Sequence, residues 1–254
     1  MTDYSPRPGA APVGRMLLAQ TALETRMLLR NGEQLLLTVI IPTVLLVLFS
    51  AVDIVAVDGP GKRVDFLAPG LLALAVMSTA FTGQAIATGF ERRYGVLKRL
   101  GATPLPRWAL LTAKTGCVLV TEALQVALLT VIALALGWSP QGDPLAVAGL
   151  LVLGTAAFSG LGLLMAGTLK AEATLAGANL VFVLLLLVGG VVVPLSRFPE
   201  AVRPVLELLP ISALSDGLRS VLQDGAGAPW SDLGVLAVWS VLGLGAAARF
   251  FRWE

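Results

Sequence analysis

Six stretches of this chain run for 16 residues or more without a charged side chain, and that constrains its fold more than any motif. They are Leu35–Val52, Phe66–Phe90, Ala123–Gly142, Pro144–Leu169, Ala173–Ser196 and Leu233–Ala248. A bilayer core about 30 Å thick needs roughly 20 apolar residues as a helix. In the third stretch the apolar pattern starts earlier, near Ala109, so it contains Lys114 near one end and Glu122 near its middle. Composition agrees: charged residues are 13% of 254 and mean hydropathy is +0.85. A soluble domain carries about 25% charged residues. Half that charge cannot coat a globule, so soluble, disordered, collagenous and coiled-coil classes are excluded. The runs are uniformly apolar, whereas barrel strands would alternate, so the spans are helices. The expected fold is an all-α integral membrane bundle of six transmembrane helices, at about 35–57, 66–90, 109–136, 144–169, 173–196 and 233–251. The first run follows 34 residues and no A-x-A-like cleavage site follows it, which makes it a permanent helix rather than a signal peptide.

Cationic residues set the orientation. With the N-terminus inside, 13 of the 18 lysines and arginines fall on cytoplasmic segments and five (Lys62, Arg63, Arg197, Arg203, Arg219) on outer ones. This is the positive-inside pattern, and six spans return the C-terminus to the cytoplasm. Trp108, Trp138, Trp230 and Trp253 fall near expected span ends as interfacial anchors. Few lysines among many arginines, with abundant Ala, Gly and Val, point to a GC-rich bacterial gene, hence a bacterial cytoplasmic membrane.

Several chemistries are absent. The chain has no histidine and one cysteine, Cys117. That removes disulfides within the chain, His/Cys metal sites and histidine-assisted nucleophiles. Gly59-Pro60-Gly61-Lys62 lacks the spacing and hydroxyl of a phosphate-binding loop. Asp216-Gly217-Leu218-Arg219 has no second acidic cluster for a phosphotransfer metal. No nucleic-acid partner, metal or cofactor is expected on this chain.

Outside the spans, residues 1–12 read as a flexible tail, and 13–254 as a single domain. Residues 13–34 read as an interfacial amphipathic helix. At 100° per residue Arg15, Arg26, Arg30 and Glu33 lie within about 60° of one another, beside a Met16, Leu23, Met27 stripe. It is either a basic anchor on anionic headgroups or an elbow touching a cytoplasmic partner. The segment 91–108, ERRYGVLKRLGATPLPRW, is the densest basic stretch. Glu91–Leu100 can be helical and Gly101, Pro104 and Pro106 end it. It either fixes topology alone or docks a partner. Residues 194–232 are the longest outer connection and too apolar for a solvated loop; they read as two short helices broken at Pro210. Glu122, with Gln125 three residues on, is either an acid hydrogen-bonded to a neighbouring helix or a contact on a substrate path; a proton relay lacks a second ionisable group at that depth. The small residues Gly160, Gly162, Gly167, Ala173, Gly177, Gly243 and Ala247 allow close helix contact, internal or between subunits. No internal repeat is evident.

The pattern Glu91-Arg92-x-x-Gly95-x-Leu97-Lys98-x-Leu100-x-Ala102-Thr103-Pro104, after the second of six helices, resembles the signature of ABC-2 type transporter permeases, in the branch of daunorubicin-resistance-type drug exporters. Pro194, Phe198-Pro199, Leu209-Pro210 and Arg219 are similar to that family's re-entrant outer hairpin between helices five and six. Arg93 departs from it, where many members carry an acid. The resemblance implies a half-transporter without its own ATPase: a second permease protomer, most simply in a homodimer, and two ABC ATP-binding subunits that hold ATP and Mg. It implies that Glu91, Arg92, Gly95, Lys98 and Arg99 couple to the ATPase and that the cargo is a drug, lipid or secondary metabolite. Competing classes are a membrane enzyme, which would need clustered acids or a nucleophile, an ion-coupled carrier or channel, and a membrane regulator of an ATPase that moves nothing.

Overall fold

A computed structural model describes residues 9–30, 32–51, 63–191 and 195–252. Most of the 1–12 tail, the stretch beyond Ala51, Lys62, Pro194 and Trp253 lie outside the described residues, as do the side chains of Glu33 and Arg107. Among the described residues there are α-helices, one π-helical segment, one 3-10 turn and no strand. In chain order the α-helices are α1 (Val13–Leu29), α2 (Gly32–Ala51), α3 (Arg63–Val76), α4 (Gln84–Arg93), α5 (Val96–Gly101), α6 (Arg107–Ala135), α7 (Pro144–Thr168), α8 (Ala171–Val188), α9 (Arg203–Glu207), α10 (Pro210–Leu222) and α11 (Trp230–Phe250).

Five described helices are long and apolar enough to cross a membrane: Arg63–Arg93, Trp108–Ala135, Pro144–Thr168, Ala171–Val188 and Trp230–Phe250. The remaining apolar run folds as α2, a helix of 20 residues with Pro42 inside it. The interfacial helix is shorter than expected: α1 stops at Leu29, and residues 32–34 already belong to α2. The span expected to reach 196 stops at Val188. There Gly189 closes the helix and Gly190 takes the left-handed conformation, φ +72°, which costs glycine nothing.

Arg63–Arg93 is the axis of the bundle, with 83% of its apolar window buried, against 17% for Ala171–Val188 on the periphery. It is one continuous span because the π-helical segment Met77–Gly83 joins α3 to α4. A π turn widens the helix and turns its carbonyls away from regular i→i−4 partners. Gly162 of α7 gives it room: a Cβ there would stand 2.8 Å from the Phe81 carbonyl oxygen.

α7 packs most extensively against α11. They cross where Gly160 meets Gly243; a Cβ on Gly160 would stand 2.5 Å from the Leu244 nitrogen. In lipid, with no hydrophobic force between helices, such backbone approach supplies the packing energy. Gly160, Gly162, Gly167, Gly243 and Ala247 are therefore internal contacts. Ala173 is exposed and Gly177 meets only Met165.

The 194–232 connection folds as expected around Pro210, which opens α10 as its first residue. Ile211, Leu214, Leu218 and Val221 are fully buried against α3, α7 and α11. Arg219 turns back from α10 and donates to the carbonyls of Gly190 and Val191, at 2.7 and 2.6 Å, supplying partners where α8 has ended. Its guanidinium lies 4.2 Å from the Phe66 ring centre, and Gly70 leaves it room. Asp216 pairs with it at 3.2 Å. Burial dominates both partners: it raises the Asp216 carboxyl and lowers the Arg219 guanidinium from their ordinary values, each drawn back by the other's charge. Trp108 and Trp230 are exposed, in line with interfacial anchoring. Trp138 is not an anchor: it is buried, because the chain folds back over it between α6 and α7 and seats its ring in the core.

Candidate functional site

The basic segment after the second apolar run does not form one helix from Glu91 to Leu100. α4 carries on to Arg93, Tyr94 closes it, and Gly95 adopts φ +70° before α5 begins at Val96. A Cβ on Gly95 would meet nothing within 4 Å, so its backbone angle, not space, calls for glycine. Thr103 Oγ1 donates to the Leu100 carbonyl at 2.6 Å, and Pro106 precedes α6. Leu97 is fully buried with Leu110, Leu111, Leu163, Ala247 and Phe251, and this small core seats α5 on α6, α7 and α11. Lys98 and Arg99 are exposed.

The break at Gly95 divides the expected coupling residues in two. Glu91 and Arg92 lie before it and point into the bundle. Arg92 donates to the Leu169 carbonyl at the end of α7, and Arg93 pairs with Glu172 at the start of α8. Glu91 accepts from Lys114 Nζ at 2.6 Å. Lys114 also reaches Glu24 of α1 at 3.0 Å, and Gln20 donates to the other oxygen of Glu24 at 2.9 Å. Sequence reasoning missed Glu24. Its signal was present: Gln20, Thr21, Glu24 and Thr25 form a polar face of α1, and Lys114 in an apolar span needs a counter-charge. In the structure that polar face packs on α6, while Arg15, Arg26 and Arg30 are exposed with Leu18, Leu23 and Met27.

Above this triad lies a cavity of about 410 Å³ between α1, the π segment with α4, and α6. Its polar lining includes Glu24, Glu91, Lys114, Gln84, Thr79 and Thr121; Met27, Leu28, Phe90 and Val118 supply apolar wall, and the sole cysteine, Cys117, faces it too. Glu122 and Gln125 are buried one layer behind this lining. Gln125 accepts from Thr79 Oγ1 of the π segment at 3.0 Å, and Glu122 accepts from Thr155 of α7. The second Glu122 oxygen has no hydrogen-bond partner among the described residues. These bonds tie α6 to the axial span and to α7 at mid-depth. No group of three His, Cys, Asp or Glu suited to a metal occurs among the described residues.

The site is thus an elbow, an ion triad that fastens it to α1 and α6, and a cavity above them. No curated protein matches the chain. The model of the ABC-2 type transporter family matches residues 17–222, most of the 254-residue chain, and the chain belongs to this family of membrane components, which work with separate ATP-binding subunits of ABC transporters.

Proposed function

We propose that this chain is one transmembrane half of an ATP-driven exporter, of the drug-exporter branch its motif resembles. It moves a hydrophobic or amphiphilic substrate out of the cytoplasm or inner leaflet across a bacterial cytoplasmic membrane. Six spans, α2 being the first, place both termini in the cytoplasm, and α9 with α10 forms the re-entrant outer hairpin. Two copies pair, and two ATP-binding subunits carrying ATP and Mg sit beneath them. The reading is carried by one observation: a left-handed glycine turns a short helix with exposed Lys98 and Arg99 out of the end of the axial span. Closure of the ATPase pair shifts α5. Leu97 passes that shift to α6, α7 and α11, and Glu91 passes it through Lys114 to α1. Nucleotide then selects between packed states of the bundle.

Reversing Glu91 or Arg92 would break bonds inside the chain, so the exposed Arg99 isolates docking better. The test co-expresses the permease with a candidate ABC ATP-binding subunit, then measures co-purification and ATP hydrolysis in lipid. Arg99→Glu lowers coupled hydrolysis about tenfold or more, the size of losing one charge-assisted contact, with helix content unchanged. Full co-purification and full hydrolysis in this variant would refute the docking role of Arg99. An ion-coupled carrier is the second reading, favoured by the unpartnered oxygen of Glu122. It requires Glu122→Gln to abolish transport driven by a proton gradient; identical transport with and without the gradient dismisses it.

A further inference from the structure

We propose that the cavity between α1, α4 and α6 is a binding site for a cationic amphiphile, an apolar molecule carrying one ammonium group. Its volume of about 410 Å³ falls within the range of small-molecule sites. Three observations fix the chemistry. Two carboxyl groups, Glu24 and Glu91, face one ammonium, Lys114, so the floor of the cavity holds one more acid than base. Gln84 lines the same cavity at 6% exposure, and neither its amide nitrogen nor its amide oxygen has a partner among the described residues. A buried amide left unpaired costs on the order of 1–3 kcal/mol, which a hydrogen-bonding head recovers by drawing the amide, now closed to solvent, toward it. The remaining wall, with Met27, Leu28 and Val118, takes an apolar body. An anionic or neutral amphiphile would leave the acidic excess unmatched and add repulsion or nothing.

Tyr94, which closes α4 at the elbow, also borders the cavity. An occupant therefore touches the segment that turns into α5. Its use as a loading position for export rests on the transporter reading, whereas the binding itself does not.

The test uses the full chain alone in nanodiscs of phosphatidylcholine, whose headgroups carry no net charge. The probes are dansylcadaverine, whose apolar fluorophore ends in an ammonium, and the dansyl amide of 6-aminohexanoic acid, which ends in a carboxylate. Dansylcadaverine shows saturable, blue-shifted fluorescence above empty discs, with a Kd about tenfold or more below that of the acid. Gln84→Leu weakens it about tenfold, and the near-isosteric Gln84→Glu, which adds negative charge, tightens it. The opposite signs separate a ligand contact from a folding defect. Equal binding of the two probes, no saturable signal above empty discs, or parental affinity in both Gln84 variants overturns the proposal. Loss of binding with intact ATPase assembly removes the cavity proposal alone; intact binding without ATPase assembly removes the transporter reading alone.

Discussion

Lys114 holds one ammonium between two carboxylates with 4% of its side chain exposed. Its charge was visible in the sequence, and so was the need for a partner, but the partners lie 90 and 23 residues away. Periodicity places residues on a face of one helix and does not say which face of another helix it meets. Hence Glu24 went unnoticed, and so did Gln84, an uncharged residue inside a run read only as apolar. The arrangement makes a test at this scale. Lys114→Met leaves Glu24 and Glu91 facing each other without a cation and costs about 3 kcal/mol, as for a broken buried pair. Adding Glu24→Gln and Glu91→Gln removes the stranded charge and restores most of that loss. Thermal unfolding followed by circular dichroism in detergent checks both; equal melting temperatures of the single and triple variants would refute the triad. Arg219 follows the same rule, with backbone carbonyls in place of most of the counter-charge.

Helices were legible where composition alone decides them. The expected spans at 66–90, 109–136 and 144–169 match observed ones within a few residues at either end. Breaks were less legible, because they depend on single glycines. Gly95 splits the 91–100 helix and Gly189–Gly190 ends α8 early; both are invisible to a count of apolar residues. The π segment left no mark in the sequence, since a widened turn answers the shape of its neighbour α7. The elbow supplies the prediction at this scale. Gly95→Val, a β-branched residue forced to φ +70°, costs about 1–2 kcal/mol of local strain and lowers coupled ATP hydrolysis. Gly95→Asn, which tolerates that angle, keeps most of it. With nothing near the Cβ position, a clash explains neither result. Equal activity of the Val and Asn variants would show that the turn's hand is irrelevant.

Across the whole molecule, the glycine contacts divide the bundle into parts of different stiffness. Gly160→Leu drives a side chain into the Leu244 backbone and separates α7 from α11, so monodisperse protein in detergent is lost. Gly245→Leu, at a position where a Cβ would meet nothing within 4 Å, leaves the yield unchanged. A soluble Gly160→Leu protein with the parental elution volume would show that the crossing can open. Sequence alone left these glycines undecided between internal packing and a subunit seam, because spacing looks the same in both. The close crossing also limits the motions available to this protein. α7 and α11 travel together like two planks nailed at one point, so a conformational cycle cannot prise them apart to make a passage. Hydroxyl, amide and ionic contacts, rather than backbone-to-backbone ones, join α1, α6 and the axial span, and such contacts can be exchanged for water one at a time.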